Sequence, residues 1–392
     1  MDKARRTALK ILCRITASEA YSNIELKNAD LSGPDRAFCT ELIKGVTERR
    51  RTLDYIIRLF VSRTPDPVIN EILRMGAYQI LYLDRVPDHA VCDWAVNEAR
   101  ACRRQSAGFV NAVLRSVCRE RESISHRLAD APEAVIYSVS DSIFELIKAQ
   151  YPGEYKDILQ SFFVRRPLCI RANTLKDTPY SDGVCPGADM KDLEKGLFFV
   201  QGLSSQEAVR ALDARPGMDV IDVCACPGGK SFGAAIDMNN TGSILSCDLH
   251  RNKLPLIENG AKKLGISIIG TAARDSRISD PALVSRFDRV MCDVPCSGLG
   301  VIGTKPEIRY KNAGDFAGLK DTQSAILGAS AGYLRVGGKM VYSTCTVNRA
   351  ENSEIVKAFL ESAPGYVLNT EKQILPSGTH DGFYYAVITR KE

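Results

Sequence analysis

The chain has 392 residues, of which 45% are apolar and 25% charged, and it carries a net charge of +5. That is globular composition at the length of two or three domains, which argues against wholesale disorder. No apolar run approaches the roughly 18 residues of a membrane span, and the opening Met-Asp-Lys-Ala-Arg-Arg leads into no signal-peptide core. A cytoplasmic protein with no membrane partner is expected. Its thirteen cysteines then read as free thiols rather than a disulfide framework.

From residue 4 to about 120 the apolar spacing is helical. Ala4, Ala8, Ile11, Leu12 and Ile15 share a face, as do Leu53, Ile56, Ile57 and Phe60, then Ile69, Ile72, Leu73 and Ile80, then Val110, Val113, Leu114 and Val117. Breaks fall at Ser32-Gly33-Pro34, Thr64-Pro65-Asp66-Pro67 and Val86-Pro87-Asp88. Short amphipathic helices with brief connections predict a compact all-α domain over 1–120. This segment holds 20 basic and 15 acidic residues and so carries the whole surplus of charge, which is compatible with a polyanionic partner. The run Arg49-Arg50-Arg51 is a candidate phosphate contact, although a solvated helix face is the commoner meaning of so short a run.

Residues 121–205 are expected to hold linker helices and a small α+β subdomain. Leu168–Arg171 and Leu197–Val200 read as strands around a Gly/Pro/Asp-rich excursion at 177–189. From 206 to 392 strand-length apolar runs alternate with helical stretches: Asp219–Val223, Ser243–Cys247, Ile266–Ile269, Asp288–Cys292, Lys339–Tyr342 and Tyr384–Ile388. Alternation of this kind predicts an α/β sheet with its ligand site beyond the carboxyl ends of the strands.

The most informative turn joins the first of these strands to a helix: Asp222-Val223-Cys224-Ala225-Cys226-Pro227-Gly228-Gly229-Lys230. Paired glycines allow close backbone approach to a ligand, and a helix start offers free N–H groups. A phosphate loop would need glycine where Cys224 stands, and the dinucleotide fingerprint G-x-G-x-x-G is absent, so both are rejected. Asp248 closes the second strand, where an acid in such a fold can hold a ribose diol, and Asp275 follows the third within reach of a base ring. Asp293-Val294-Pro295-Cys296-Ser297-Gly298 and Tyr342-Ser343-Thr344-Cys345-Thr346 end two further strands, so Cys296 and Cys345 can meet over one cleft. Zinc is disfavoured, because the cysteines lack C-x2-C spacing and the four histidines do not cluster. No metal site is expected.

These residues resemble a family. The turn Cys224–Lys230, the Asp293–Gly298 segment, and Tyr342–Thr346 followed by Asn348, Glu351 and Asn352 are similar to the NOL/NOP/Sun family of RNA cytosine-5 methyltransferases, with Cys226 where the family usually has alanine. Asp35-Arg36-Ala37-Phe38, Arg74-Met75-Gly76-Ala77-Tyr78-Gln79 and Gly108-Phe109-Val110-Asn111-Ala112-Val113-Leu114-Arg115 resemble the NusB-type RNA-binding domain. The resemblance implies an all-α NusB-like N-terminal domain, a small α+β middle segment and a C-terminal α/β Rossmann-like class I methyltransferase domain. The combination is similar to the branch that acts on 16S ribosomal RNA, as a monomer by default.

What the resemblance implies for the site fits the chemistry, since carbon 5 of cytosine is a poor nucleophile and needs covalent help. Cys345 would add to carbon 6, Asp293 would hold the flipped base at its N3 edge, and Cys296 would assist loss of the carbon-5 proton and release. Lys230 would lie near the reacting centre. S-adenosylmethionine would lie with its methionine part against Cys224, Ala225, Cys226, Pro227, Gly228, Gly229 and Lys230, its ribose on Asp248 and its adenine near Asp275, with Asp293 closing the site. DNA cytosine-5 enzymes use the Pro-Cys cysteine, here Cys296, as nucleophile, so the opposite assignment stays testable. The same chemistry on transfer RNA, or a non-catalytic RNA-binding module, are the alternative readings.

Overall fold

The computed structural model describes residues 2–18, 25–26 and 30–392. The chain divides into two compact units: one reaches to Glu145 and includes Thr304–Asn312, and the other comprises Leu146–Gly303 and Ala313–Glu392.

The first unit is helical. Its main helices are α1 (Asp2–Ser18), α2 (Gly33–Glu48), α3 (Arg50–Arg58), α4 (Pro67–Tyr82), α5 (Asp88–Cys102) and α6 (Ala107–Arg119). The faces expected from the sequence are those buried in its core, save that Phe60 is only partly covered. Leu53, Ile56 and Ile57 are at most 1% exposed, and each such burial stabilises by about 1.5–3 kcal/mol. The breaks set the helix starts: Pro67 opens α4 and the Asp66 side chain accepts from the Val68 amide at 3.1 Å. Gly76 allows α4 and α6 to touch, because a Cβ there would fall 2.7 Å from Leu114 Cδ1. Arg74 is nearly buried and makes two 2.7 Å hydrogen bonds to the Asp54 carboxylate and another to Glu71. These pairings keep a buried guanidinium from standing alone.

The Arg49–Arg51 run is half-buried and engaged within the helical unit. Arg49 stacks over the Tyr82 ring at 4.2 Å and Arg50 over Tyr310 at 3.8 Å. Arg51 donates to the Val139 carbonyl and to Asp141, both at 2.6 Å. Tyr310 comes from the 304–312 segment, and its hydroxyl also meets the Thr47 carbonyl at 2.6 Å and the Arg50 amide at 3.0 Å. The local pattern of charge gave no sign of these partners, which lie up to about 260 residues away in sequence.

The second unit holds two sheets. In the smaller, β1 (Cys169–Ala172) lies between β2 (Gly183–Val184) and β3 (Phe198–Val200), all antiparallel. The larger has the order β6-β5-β4-β7-β8-β10-β9, with β4 (Asp219–Asp222), β5 (Ser243–Asp248), β6 (Ile269–Ala273), β7 (Phe287–Asp293), β8 (Leu334–Thr344), β9 (Tyr366–Ile374) and β10 (Phe383–Arg390). Strands β4 to β8 run parallel, and β10 pairs antiparallel with both β8 and β9.

Two expectations need correction. The third strand begins at Ile269 rather than Ile266. Gly265 adopts a left-handed φ of 76° after the helix Leu254–Leu264, and the Ile266 amide returns to the Ala261 carbonyl. Ile266 therefore closes a helix cap by apolar contact instead of entering the sheet. Strand β9 was not expected, because it is an edge strand whose apolar start, Tyr366-Val367-Leu368, runs into the polar stretch Asn369-Thr370-Glu371-Lys372-Gln373. Among the described residues no helix is long and apolar enough to cross a membrane.

Candidate active site

Register brings the carboxyl ends of the parallel strands to one edge. Asp222 is level with Ser246 on β5 and Met291 on β7, while Met291 is level with Val341 on β8. Two residues further along each strand, on the same face, stand Asp248, Asp293 and Ser343; Asp248 pairs with Ala273 and Asp293 with Ser343. Cys345 follows Ser343 by two more. Each expected acid except Asp275 thus sits in, or at the end of, a strand, and Asp275 lies two residues beyond Ala273.

The turn after β4 folds tightly. The Gly228 amide donates to the Ala225 carbonyl at 2.6 Å, the Ala225 amide donates to the Cys247 carbonyl at 2.7 Å, and the Cys226–Pro227 peptide is cis. Gly228 has φ 109° and the Phe232 ring fills the place a Cβ would take, so glycine is required. Gln201, just past β3, donates to the Gly229 carbonyl at 3.0 Å. A cavity of about 240 Å³ opens here, lined among others by Gln201, Asp222, Cys224, Pro227, Lys230 and Asp293. Two buried acceptors in this lining, Asp222 Oδ1 and Gln201 Oε1, have no hydrogen-bond partner.

Electrostatics differ sharply between the acids. Asp222 is 1% exposed and accepts from Ser231 Oγ at 2.7 Å, which in turn accepts from Ser246 Oγ at 2.8 Å. Burial pushes its carboxyl up to about 7, against the Ser231 hydrogen bond and with the like charge of Asp293 adding to the rise. Asp293 shares its two oxygens between Lys230 Nζ at 2.6 Å and Ser343 Oγ at 2.7 Å. Burial works against the charged form of Lys230, but Asp293 and then Asp222 outweigh it and hold the ammonium above its ordinary value. The Phe383 ring lies under this ammonium at 5.3 Å, and Cys345 is within its electrostatic reach.

Asp248 Oδ1 accepts from the His250 amide at 2.9 Å. Asp275 lines a second cavity of about 370 Å³ together with Val223, Cys247, Ser276 and Tyr333. The Arg277 side chain forks onto Asp275 at 2.6 and 2.9 Å and holds its carboxyl down to about 2.

Cys296 Sγ and Cys345 Sγ are 3.3 Å apart. The Cys345 hydrogen bond and then burial raise the Cys296 thiol well above its ordinary value. The other two cysteines of the site are poor nucleophile candidates: burial raises Cys224 well above its usual value, and burial with Asp248 pushes Cys226 up to about 12. The structure therefore gathers Cys296, Cys345, Asp293 and Lys230 around one cleft with the Cys224–Lys230 turn. Three contributors escaped the sequence reading as site residues. Ser343 lay inside a motif already noticed, whereas Gln201 and Phe383 arrive from distant strands with no local signal. Among the described residues no group of three or more His, Cys, Asp or Glu side chains is arranged to hold a metal ion.

Residues 209–389 match the family model described as 16S rRNA methyltransferase RsmB/F, and residues 2–119 match the NusB family. A probable ribosomal RNA small subunit methyltransferase B of Bacillus subtilis is 33% identical over 99% of this chain and 98% of its own length. The ribosomal RNA small subunit methyltransferase B of Salmonella newport is 28% identical, with 91% of each chain covered. The crystal structure of PH0851 shares the fold at a TM-score of 0.80, covering 100% of this chain and 99% of that one at 20% identity. With a relative 33% identical over 99% of this chain, and the family model matching residues 209–389, the chain belongs to the RsmB/F family of 16S rRNA methyltransferases.

Proposed function

We propose that the protein methylates carbon 5 of a specific unpaired cytosine in 16S ribosomal RNA, using S-adenosylmethionine and a covalent adduct between Cys345 and carbon 6 of the base. The observation that carries this reading is the 3.3 Å approach of Cys296 to Cys345, beside a Lys230–Asp293 ion pair of 2.6 Å.

The residues present fit the cofactor. Asp222 Oδ1 and Gln201 Oε1, buried and without partners, are acceptors that call for a donor such as the ammonium of a methionine moiety. The Cys224–Lys230 turn would hold that moiety, Asp248 the ribose and Asp275 the adenine side. When bound, S-adenosylmethionine supplies an electrophilic methyl group.

The chain's own residues supply the rest. Lys230 stays charged between Asp293 and Asp222, and so favours negative charge on the nearby Cys345 sulfur. That thiolate adds to carbon 6, and the electron pair of the 5,6 double bond becomes available at carbon 5. Asp293 would accept the N3–H of the ring and so favour a proton at N3, which leaves the adduct a neutral enamine; that proton is given up again when Cys345 departs. After methylation, the carbon-5 proton leaves with help from Cys296, the double bond re-forms, and Cys345 departs as thiolate. The target base must leave its stack to enter the cleft.

RNA carrying 5-fluorocytidine tests this directly, because fluorine at carbon 5 blocks the final proton loss. The expected product is a stable RNA–protein adduct whose cross-linked peptide contains Cys345. A cross-link at Cys296 would reverse the two roles, and no adduct from an enzyme that binds cofactor and RNA would remove the covalent step.

A further inference from the structure

Glu351 is 1% exposed, and the donors that surround its carboxylate are neutral. Oε2 accepts from the Ser297 amide at 2.8 Å and from Gln323 Nε2 at 3.0 Å, and Oε1 accepts from Asn348 Nδ2 at 2.9 Å. Ser297 follows Cys296 directly, and Asn348 follows Cys345 by three residues. Gln323, on the helix Leu319–Ala331, also donates to the Pro295 carbonyl at 2.9 Å, so it grips the residue before Cys296. Ser297 Oγ and Thr346 Oγ1 share a hydrogen bond of 2.8 Å, which joins the residues that follow the two cysteines. Asn348 is steadied from its other side by Gln150 Nε2 at 2.9 Å.

Stability alone does not call for this arrangement. A carboxylate taken out of water and met only by neutral donors costs more than an apolar side chain of the same volume. What it offers is acceptor capacity: one group collects N–H donors from three separate segments, two of which carry the cysteines.

We infer that Glu351 is a positioning residue for methyl transfer, fixing the Cys296 segment against the Cys345 segment so that proton loss and release follow adduct formation. This rests on the covalent reading above. The charges agree with it. Glu351 lies on the Cys296 side and raises that thiol, while Lys230 lies on the Cys345 side.

Glu351→Gln in the full chain tests the role, because it preserves shape while exchanging one acceptor for a donor. The expected result is a fall in kcat of roughly 10- to 100-fold, the scale of a misplaced reacting group. S-adenosylmethionine affinity and KM for unmodified 16S rRNA should be little changed, and the fraction of enzyme caught as RNA adduct on a denaturing gel should increase. A purely structural role would lower the amount of folded, cofactor-binding protein without increasing the adduct. Wild-type kcat and wild-type adduct levels in Glu351→Gln overturn the inference. If that variant does not fold, Gln323→Met, which withdraws a donor from both Glu351 and Pro295, decides in the same way: slower release supports the role and unchanged kinetics overturn it. A wild-type enzyme that yields neither 5-methylcytosine nor adduct overturns the covalent reading itself. An active wild type matched by its variant overturns this inference alone.

Discussion

Cys296 Sγ and Cys345 Sγ stand 3.3 Å apart although 49 positions separate them in sequence. They follow the carboxyl ends of β7 and β8, adjacent parallel strands whose register sets Asp293 level with Ser343. Sheet topology thus produces the pair, and the two sulfurs sit in different electrostatic surroundings. Cys345→Ala is expected to abolish methyl transfer and adduct formation together. Cys296→Ser is expected to stop turnover while RNA–protein adduct accumulates, which a denaturing gel reads directly. If Cys345→Ala retains the adduct and Cys296→Ser loses it, the roles are exchanged.

The Lys230–Asp293 pair supports a second prediction. The two groups lie 2.6 Å apart, their side chains 14% and 29% exposed, so removing one partner leaves a poorly solvated charge behind. Lys230→Met should lower kcat by about 100-fold or more, the scale of losing a pre-organised electrostatic group. It should also slow alkylation of Cys345 by iodoacetamide at neutral pH, measured peptide by peptide. Unchanged alkylation would show that Lys230 does not govern the Cys345 sulfur.

Asp222 gives a prediction in pH. Burial holds its folded-state carboxyl at about 7, above an ordinary value of about 3.9. Between those values the folded state binds a proton the unfolded state has lost, so this residue's contribution to stability falls as pH rises through that window. Asp222→Asn carries no such penalty. The difference in Tm, variant minus wild type, should therefore grow from pH 5 to pH 8, with each 1 kcal/mol worth roughly 2–4 °C in a unit of this size. A difference independent of pH would mean that Asp222 titrates normally.

The arginine run has a structural part to play. Replacing Arg49, Arg50 and Arg51 by alanine removes two stacks on tyrosine and the ties of Arg51 to Val139 and Asp141. Stacks of this kind contribute about 0.5–2 kcal/mol each. The triple variant should melt several degrees lower, while the slope of log RNA affinity against log salt changes by less than one phosphate contact would produce. A slope reduced by two or more contacts would return the run to the RNA-binding surface.

Much of the fold was legible because periodicity reports burial. The faces of α1, α3, α4 and α6 were read from spacing, and strands β4, β5, β7, β8 and β10 from their apolar runs. Edge strand β9 was not, since its apolar residues are confined to its two ends and its mostly exposed centre is polar. Ile266 misled for the opposite reason, being apolar through a helix cap. At the site, residues in strand-end motifs were recognisable one motif at a time. The Gln201 contact to Gly229, the Phe383 ring beneath Lys230 and the Tyr310 stack on Arg50 depend on register and packing, which no local pattern encodes.

The most direct test of the account is transfer of a labelled methyl group from S-adenosylmethionine to unmodified 16S rRNA, followed by digestion to nucleosides, with wild type and Cys345→Ala side by side. Label in 5-methylcytidine with wild type, and none with the variant, is the predicted result. Label in any other nucleoside, or equal label with Cys345→Ala, would contradict it.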